Sequence, residues 1–597
     1  MKKLLFTLCL TLTATASWAA KAYPGPVTIT QGDGTLLTVI GYGDEDFHWY
    51  TTTDGVLLAQ KGRDFYVAAI DDEGNLSATP QLAHDLPCRD IAEQQLIRMQ
   101  EPRRKAFFRE ASNLRQKAKQ QRIAIGVTSP RYFPHTGEPR ALVILVQFSD
   151  TTFVASNPKR IFDDYLNNDG RYPNSGSVRQ YFTDVSEGLY SPQFDIFGPV
   201  TLPKGSAYYG KDSNDGKTKD VNRTEMIQTA CAAIDDEVDF SQYDSDNDGY
   251  VDLVYFIYAG YSQSITGNSA DCIWPRSGTV SGGTYDGVKV SRYGINNELN
   301  FTPQYPYGKV ICGIGLFCHE FSHALGLPDV YPSTAAAQAV DNQTMEFWDL
   351  MDGGEYTNEG FTPTPYTPWE KMVMGWTEIE ELTEPARITL PENKYYRISS
   401  DTNHEYLILQ NFQNTGWASA VVGMDDLLCH GLLVYRVDYS NSSGNERGSV
   451  NLGDNPNNSA GSPGLTLAPA DGLLINSFRV YGSDNTKKTD AKPYSTSEYY
   501  RSHTGDPYPG SQNVTQLLSV QMNRCTIEKP IYNIKEINGV ITFDFLKDYE
   551  AVAVETPLAD ADATAETYDL QGRQVQAGEN SLRKGIYVRN GKKFVVK

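Results

Sequence analysis

The sequence runs to 597 residues, with a formal net charge of −22 and a pI of about 4.8. A chain this long folds as several domains, each with its own core. So acidic a surface argues against nucleic acid or an anionic membrane as partner, and 40% apolar content excludes a largely disordered chain.

Residues 1–19 read as a secretory signal. Lys2 and Lys3 precede the apolar run Leu4–Leu12, and Ser17-Trp18-Ala19 fits small-x-small cleavage, placing the cut after Ala19. The run is too short to span a bilayer, and no later stretch is apolar for long enough. Seven cysteines follow: Cys88, Cys231, Cys272, Cys312, Cys318, Cys429 and Cys525. Seven is odd, so at least one is unpaired or removed with a propeptide, and no C-x-x-C spacing suggests a cysteine zinc site.

Residues 20–122 open with a small β-rich unit. Leu36–Ile40, Phe47–Tyr50 and Phe65–Ile70 are strand candidates, punctuated by Asp33-Gly34, Asp54-Gly55 and Glu73-Gly74-Asn75. From Ile91 to Arg122 the pattern is helical and basic. This is either a solvated linker or an exposed activation segment.

Residues 123–384 alternate strands and helices, which predicts an α/β (α+β) domain. Ala141–Asp150 reads as a buried central strand. Ser177 caps a helix that starts at Val178, Met226–Ala233 is a second helix, and Ser191–Pro203 and Asp252–Ala259 supply strands. Between them lies Asp244-Ser245-Asp246-Asn247-Asp248-Gly249-Tyr250-Val251-Asp252. Oxygens at alternate positions and Gly249 at the sharp turn suit a Ca²⁺ loop with Asp244, Asp246, Asp248, Tyr250 and Asp252 as candidate ligands. Position 12 is Tyr255 rather than Glu, so the loop is no complete EF-hand, and a plain acidic turn is the alternative.

The most specific motif is Cys318-His319-Glu320-Phe321-Ser322-His323-Ala324-Leu325-Gly326-Leu327-Pro328-Asp329, an H-E-x-x-H-x-x-G-x-x-D pattern. On a helix, His319 and His323 share one face and can hold one Zn²⁺. Glu320 can reach a water beside the metal rather than the metal itself. Gly326 lets the chain leave the helix, Pro328 forbids its continuation, and Asp329 can return as third ligand. The fourth position stays open, the mark of a catalytic rather than a structural site. Further on, Phe347-Trp348-Asp349-Leu350-Met351-Asp352-Gly353-Gly354 suits a tight turn with Met351 as an apolar floor, as in metzincin-type enzymes.

The zinc motif, Trp348–Gly354, Tyr258-Ala259-Gly260-Tyr261, Cys272-Ile273-Trp274-Pro275 and Tyr366–Trp376 together resemble the immune inhibitor A family of secreted bacterial metallopeptidases. The resemblance covers roughly residues 25–545. It implies a metzincin-like zinc endopeptidase, secreted as a proenzyme, with His319, His323 and Asp329 as zinc ligands and Glu320 as general base. Residues 20–122 would then be the propeptide, with Cys88 a structural thiol or a thiolate latch on the zinc. Tyr356 and Tyr366 are candidate donors to a developing oxyanion. Arg276 departs from the His that many relatives carry there, which puts a role for that loop in doubt.

Residues 385–548 turn to strands and read as a β-sandwich, with a Ser-, Asn- and Gly-rich loop at 441–464 expected on the surface. An Ala/Asp/Glu/Thr linker, 549–566, leads to a small β tail at 567–597. The tail is similar to C-terminal sorting domains of type IX secretion, which makes that machinery a partner. The expected substrates are extracellular or host proteins. The main alternative is a cell-surface adhesin or glycan-binding protein on a protease scaffold, for which Glu320 would have no use; a non-peptide amide substrate is a third reading.

Overall fold

The computed structural model describes residues 17–19, 21–23, 25–43, 48–104, 107, 132–168, 170, 172–213, 218–401, 405–421, 429–438, 455–479, 494, 496–550, 566–575, 582, 584–589 and 592–596. The apolar run 4–12, most of the basic segment after Arg104, residues 441–454 and most of the linker lie outside them.

Six strands form the N-terminal meander: β2 (Val27–Thr30), β3 (Leu36–Gly43), β4 (His48–Thr52), β5 (Leu57–Lys61), β6 (Asp64–Ile70) and β7 (Leu76–Leu82). Every neighbour pair is antiparallel. Three of these strands match the expected ones. β2, β5 and β7 were not anticipated; in β7, Pro80 and the polar residues mask the alternation. Helix α1 (Ile91–Gln100) is pinned to the sheet by Gln100, whose side chain accepts from Leu57 N and donates to Leu57 O and Ala68 O.

The central sheet contains β8 (Arg140–Gln147), β9 (Gln193–Thr201), β11 (Val254–Tyr261), β12 (Arg276–Thr279) and β15 (Arg292–Leu299). Its order is β1-β12-β15-β11-β8-β9, where β1 is Ser17–Ala19. β9, β8, β11 and β15 run parallel, and β12 and β1 are antiparallel at the edge. A small ribbon of β10 (Tyr250–Val251), β13 (Thr284–Tyr285) and β14 (Val288–Val290) flanks it. The apolar run in β8 serves two cores at once. Ala141, Val143 and Leu145 face one core, and Leu142, Ile144 and Val146 face the other. On the first side lie α2 (Pro158–Leu166), α3 (Val178–Val185) and α5 (Ile314–Leu325). On the second lies α4 (Arg223–Ile234). Ser177 caps α3 as expected, accepting from Gln180 N at 3.1 Å.

Two more sheets follow. One comprises Glu380–Glu381, Tyr395–Ser399, Glu405–Phe412, Gly431–Asp438 and Leu465–Leu467; the other Ala386–Leu390, Ile531–Ile537 and Val540–Phe545. They share an apolar core through Ile398, Leu407, Leu409 and Val434 on one side and Leu390, Ile541 and Phe543 on the other. The opposite face of the larger sheet, with Tyr395, Tyr406, Ile408 and Leu433, joins the core that holds α5. Residues 548–597 are a separate compact unit with a three-stranded antiparallel sheet, Thr567–Asp569, Gly585–Arg589 and Lys592–Val596. Among the described residues no helix is long and apolar enough to cross a membrane, and all seven described cysteines are free.

Candidate metal centre

Helix α5 is buried on all sides. Burying Phe317, Phe321 and Leu325 completely contributes roughly 1.5–3 kcal/mol each, so tertiary packing holds the helix in place. Its first turn meets backbone directly, since a Cβ on Gly315 would lie 2.0 Å from Glu355 O. Its first amide, Ile314 N, is satisfied from outside by Asn174 Oδ1 at 3.1 Å. It ends at Gly326, at φ +110°, which reverses the chain toward Asp329.

The three expected ligands converge. His319 Nε2 and His323 Nε2 are 3.2 Å apart, and Asp329 Oδ1 lies 3.3 and 3.2 Å from them. Each ring's Nδ1 faces a carbonyl, Leu350 O at 3.0 Å and Leu327 O at 2.7 Å, and a carbonyl can only accept. Both neutral rings therefore carry the proton on Nδ1 and turn an Nε2 lone pair toward Asp329 Oδ1. Three lone-pair atoms in mutual contact repel unless a cation lies among them. Ligands 2.0–2.1 Å from a tetrahedral zinc are separated by about 3.3–3.4 Å, so the triangle fits one face of such a site. Without a metal, a proton can take that place: burial lowers His319, but Glu355, Asp329 and Glu320 override it and lift it to about 10, so the carboxylates here favour a positive charge, and a metal would have to displace that proton. Burial raises Asp329, and the two histidines more than reverse that, to about 2. Glu320 is fully buried next to His319 and is not among the grouped ligand atoms.

Met351 is fully buried, and its carbonyl accepts from Val330 N at 3.0 Å, tying this turn to the residue after Asp329. Gly354 gives the turn room, since a Cβ there would lie 2.4 Å from Asp349 O. The two tyrosines part company. Tyr366 is buried with its hydroxyl on Ser322 Oγ. The Tyr356 hydroxyl donates to the backbone carbonyl of Lys21 at 2.6 Å.

Four features of the site were not anticipated. Glu355 is buried 3.9 Å from His319 Nδ1, and burial pushes it up to about 8. Asn455, Asn457 and Asn458 clamp the segment after Asp329: Asn457 Nδ2 donates to Val330 O and Asn455 Nδ2 to Tyr331 O, while Asn458 Oδ1 accepts from Ser333 N. Asn457 has no exposed area, an exception to the surface reading of the loop 441–464, whereas residues 459–462 are exposed. Its amide satisfies backbone that water would otherwise serve. Cys88 is exposed, whereas both histidines are fully buried, so the described fold seats no thiolate latch. Arg276 lies on β12 and pairs with Asp220 at 2.6 Å.

At the acidic loop, Asp244, Asp246 and Asp252 bring carboxylate oxygens within 4.8 Å of one another. Asp248 is not in that group; its Oδ1 accepts from Tyr250 N at 2.9 Å. Gly249 takes the turn at φ +86°.

Residues 136–376 match the immune inhibitor A peptidase M6 catalytic domain. That segment belongs to the immune inhibitor A family. Among curated relatives, the chain is 27% identical over 237 residues to immune inhibitor A of Bacillus thuringiensis subsp. alesti, covering 34% of each chain. It is 26% identical over 220 residues to the pre-pro-metalloprotease PrtV of Vibrio cholerae serotype O1, covering 33% of this chain and 23% of the relative. The matched part thus spans about a quarter to a third of the relatives' length. His319, Glu320, His323, Asp329, Met351 and both tyrosines all lie inside the peptidase M6 segment. Lys21 and the asparagine clamps lie outside it.

Proposed function

We propose that this chain is a zinc-dependent endopeptidase on a metzincin-like catalytic domain, exported and made as a proenzyme. The observation that carries this reading is the triangle of His319 Nε2, His323 Nε2 and Asp329 Oδ1, with sides of 3.2–3.3 Å. These residues would hold the zinc and leave one face of it open. When bound, zinc lowers the pKa of a water toward about 7 and polarises a carbonyl. Glu320 takes a proton from the attacking water at its carboxylate and passes it to the leaving nitrogen. Tyr356 donates its phenol proton to the carbonyl oxygen as charge develops there; Tyr366 packs. Asp244, Asp246 and Asp252 hold a calcium ion that stiffens the entry to β11.

The meander and the basic segment act as propeptide, residues 1–19 as signal, and residues 567–597 as a tail read by the type IX secretion machinery. The paired sheets of 385–548 form a β-sandwich. Substrates are peptide bonds of extracellular or host proteins. The test is zinc content and casein hydrolysis, on the full chain after limited proteolysis of its basic segment, beside its Glu320→Gln twin. One equivalent of zinc in both, with hydrolysis only in the parent, is expected. Wild-type hydrolysis by Glu320→Gln would remove Glu320 as base, and a folded parent without zinc would remove the reading.

A further inference from the structure

A lysine of the chain itself fills a built pocket beside the metal centre. β1, at the end of the proposed signal, pairs antiparallel with β12, with Ala19 opposite Arg276. Two residues on, the Lys21 side chain is buried. Its Nζ donates to Asp352 Oδ1 at 2.8 Å and Ser477 Oγ at 3.1 Å, with Glu346 Oε2 at 3.5 Å. The rings of Tyr331 and Phe478 lie 5.8 and 5.0 Å from the ammonium.

The acids are fixed by other bonds. Asp352 Oδ2 accepts from Met345 N and Glu346 N, which leaves Oδ1 for the ammonium. Glu346 accepts from Ser477 N and Tyr499 OH, and its backbone sits at φ +47°, a left-handed conformation that a glutamate adopts only when its surroundings enforce it. The pocket adjoins the metal site. Tyr331 follows Asp329 by two residues, Asp352 follows Met351, and Tyr356, which donates to the Lys21 carbonyl, follows Glu355.

We propose that this pocket selects a basic side chain, lysine above all, in the peptide substrate, with Lys21 standing in for it. The inference rests on the peptidase reading. Two buried carboxylates facing an uncharged side chain would be left unpaired, and sites built around a polar partner reject analogues that lack it. Three oxygens converging on one ammonium nitrogen favour lysine; the aromatic walls also suit arginine. Ser477, Phe478 and Tyr499 give the C-terminal region a part in specificity.

Two measurements on the full chain, activated as above, test this. Cleavage of a peptide library should show lysine or arginine enriched at one fixed position beside the scissile bond, by about tenfold or more. Binding of a lysine peptide and of its norleucine counterpart, measured by fluorescence polarisation on the Glu320→Gln protein, should differ by at least about tenfold. Glu346→Gln or Ser477→Ala, each checked for an unchanged melting profile, should erase most of that difference, chiefly by weakening the lysine peptide. Cleavage without basic preference, or equal loss for both peptides in both variants, overturns the pocket and leaves the peptidase standing. Lysine-selective binding without cleavage of any peptide overturns the peptidase reading and keeps the pocket as a basic-peptide site.

Discussion

The two tyrosines near the metal centre make opposite predictions from the same substitution. Tyr366 is buried, stacks on Trp376 at 5.0 Å, and meets Ser322 Oγ with its hydroxyl. Ser322 already spends its one proton on Cys318 O at 2.7 Å, so Tyr366 is the donor. In Tyr366→Phe the ring contacts stay, and Ser322 keeps its donation and loses one accepted bond. The cost is about 1 kcal/mol, or roughly 2–4 °C in melting temperature for a domain of this size. Turnover should stay within about twofold, since no reacting atom is touched. The Tyr356 phenol instead donates to a peptide carbonyl, that of Lys21. If a substrate carbonyl takes that place, Tyr356→Phe removes one oxyanion donor, worth about 10²–10³ in kcat, or roughly 2.7–4 kcal/mol of barrier. KM should change little, because the bond strengthens in the transition state. Steady-state kinetics on a quenched peptide and thermal melts of both variants measure all four quantities. A large loss of kcat in Tyr366→Phe, with Tyr356→Phe unaffected, would refute the assignment of roles.

Asp329→Ala should lose stoichiometric zinc while the protein stays folded; full occupancy by metal analysis would sink the third-ligand assignment. Asn457→Ala strips bonds from Val330 O, Leu465 O, Gly464 N and Leu465 N, so it should cost about 2–4 kcal/mol and speed zinc loss to a chelator. Unchanged melting and release rates would show that the clamp is idle. Glu298 is held up at about 6, chiefly by burial, against the amides of Val154 and Gly260 that lower it. Its contribution to stability is complete below its ordinary value and is lost as pH rises through about 6, at most about 2 kcal/mol. Glu298→Gln should flatten denaturation midpoints between about pH 4.5 and 6, and an unchanged slope would count against the shift.

The convergence of His319, His323 and Asp329 was legible because its information is local. His319 and His323 are one helical turn apart, Gly326 ends that turn, and Asp329 follows three residues later, so four-residue spacing and one positive φ carry most of the geometry. The buried strand β8 was legible for a similar reason: its apolar residues are continuous, and only a strand with a core on each face needs that. What stayed hidden depends on partners far away in the chain. Asn457 sits in a stretch whose composition says surface, yet buried backbone needs the same amide that water-facing loops carry. Lys21 reads as an ordinary residue after a signal; only the fold sets it against Asp352, 331 residues on.

These long-range contacts bear on what a domain boundary means here. Composition changes near residue 384, and the strands do regroup there into two new sheets. The packing does not break with them. Tyr395, Tyr406, Ile408 and Leu433 belong to the same apolar core as Phe317, Trp348, Met351 and Trp369. The third ligand's loop is held by Asn455, Asn457 and Asn458, and the lysine pocket takes Ser477 and Phe478 from the same region. Cutting the chain at the compositional boundary would bare that core and release the loop bearing Asp329, although every zinc ligand would remain. The segment that matches the peptidase family thus contains His319, Glu320, His323 and Asp329, and loops of the region after it hold two of its own. On the proposed reading, a substitution at Asn457 or Ser477 acts on metal retention or on the lysine pocket without touching His319, Glu320, His323 or Asp329.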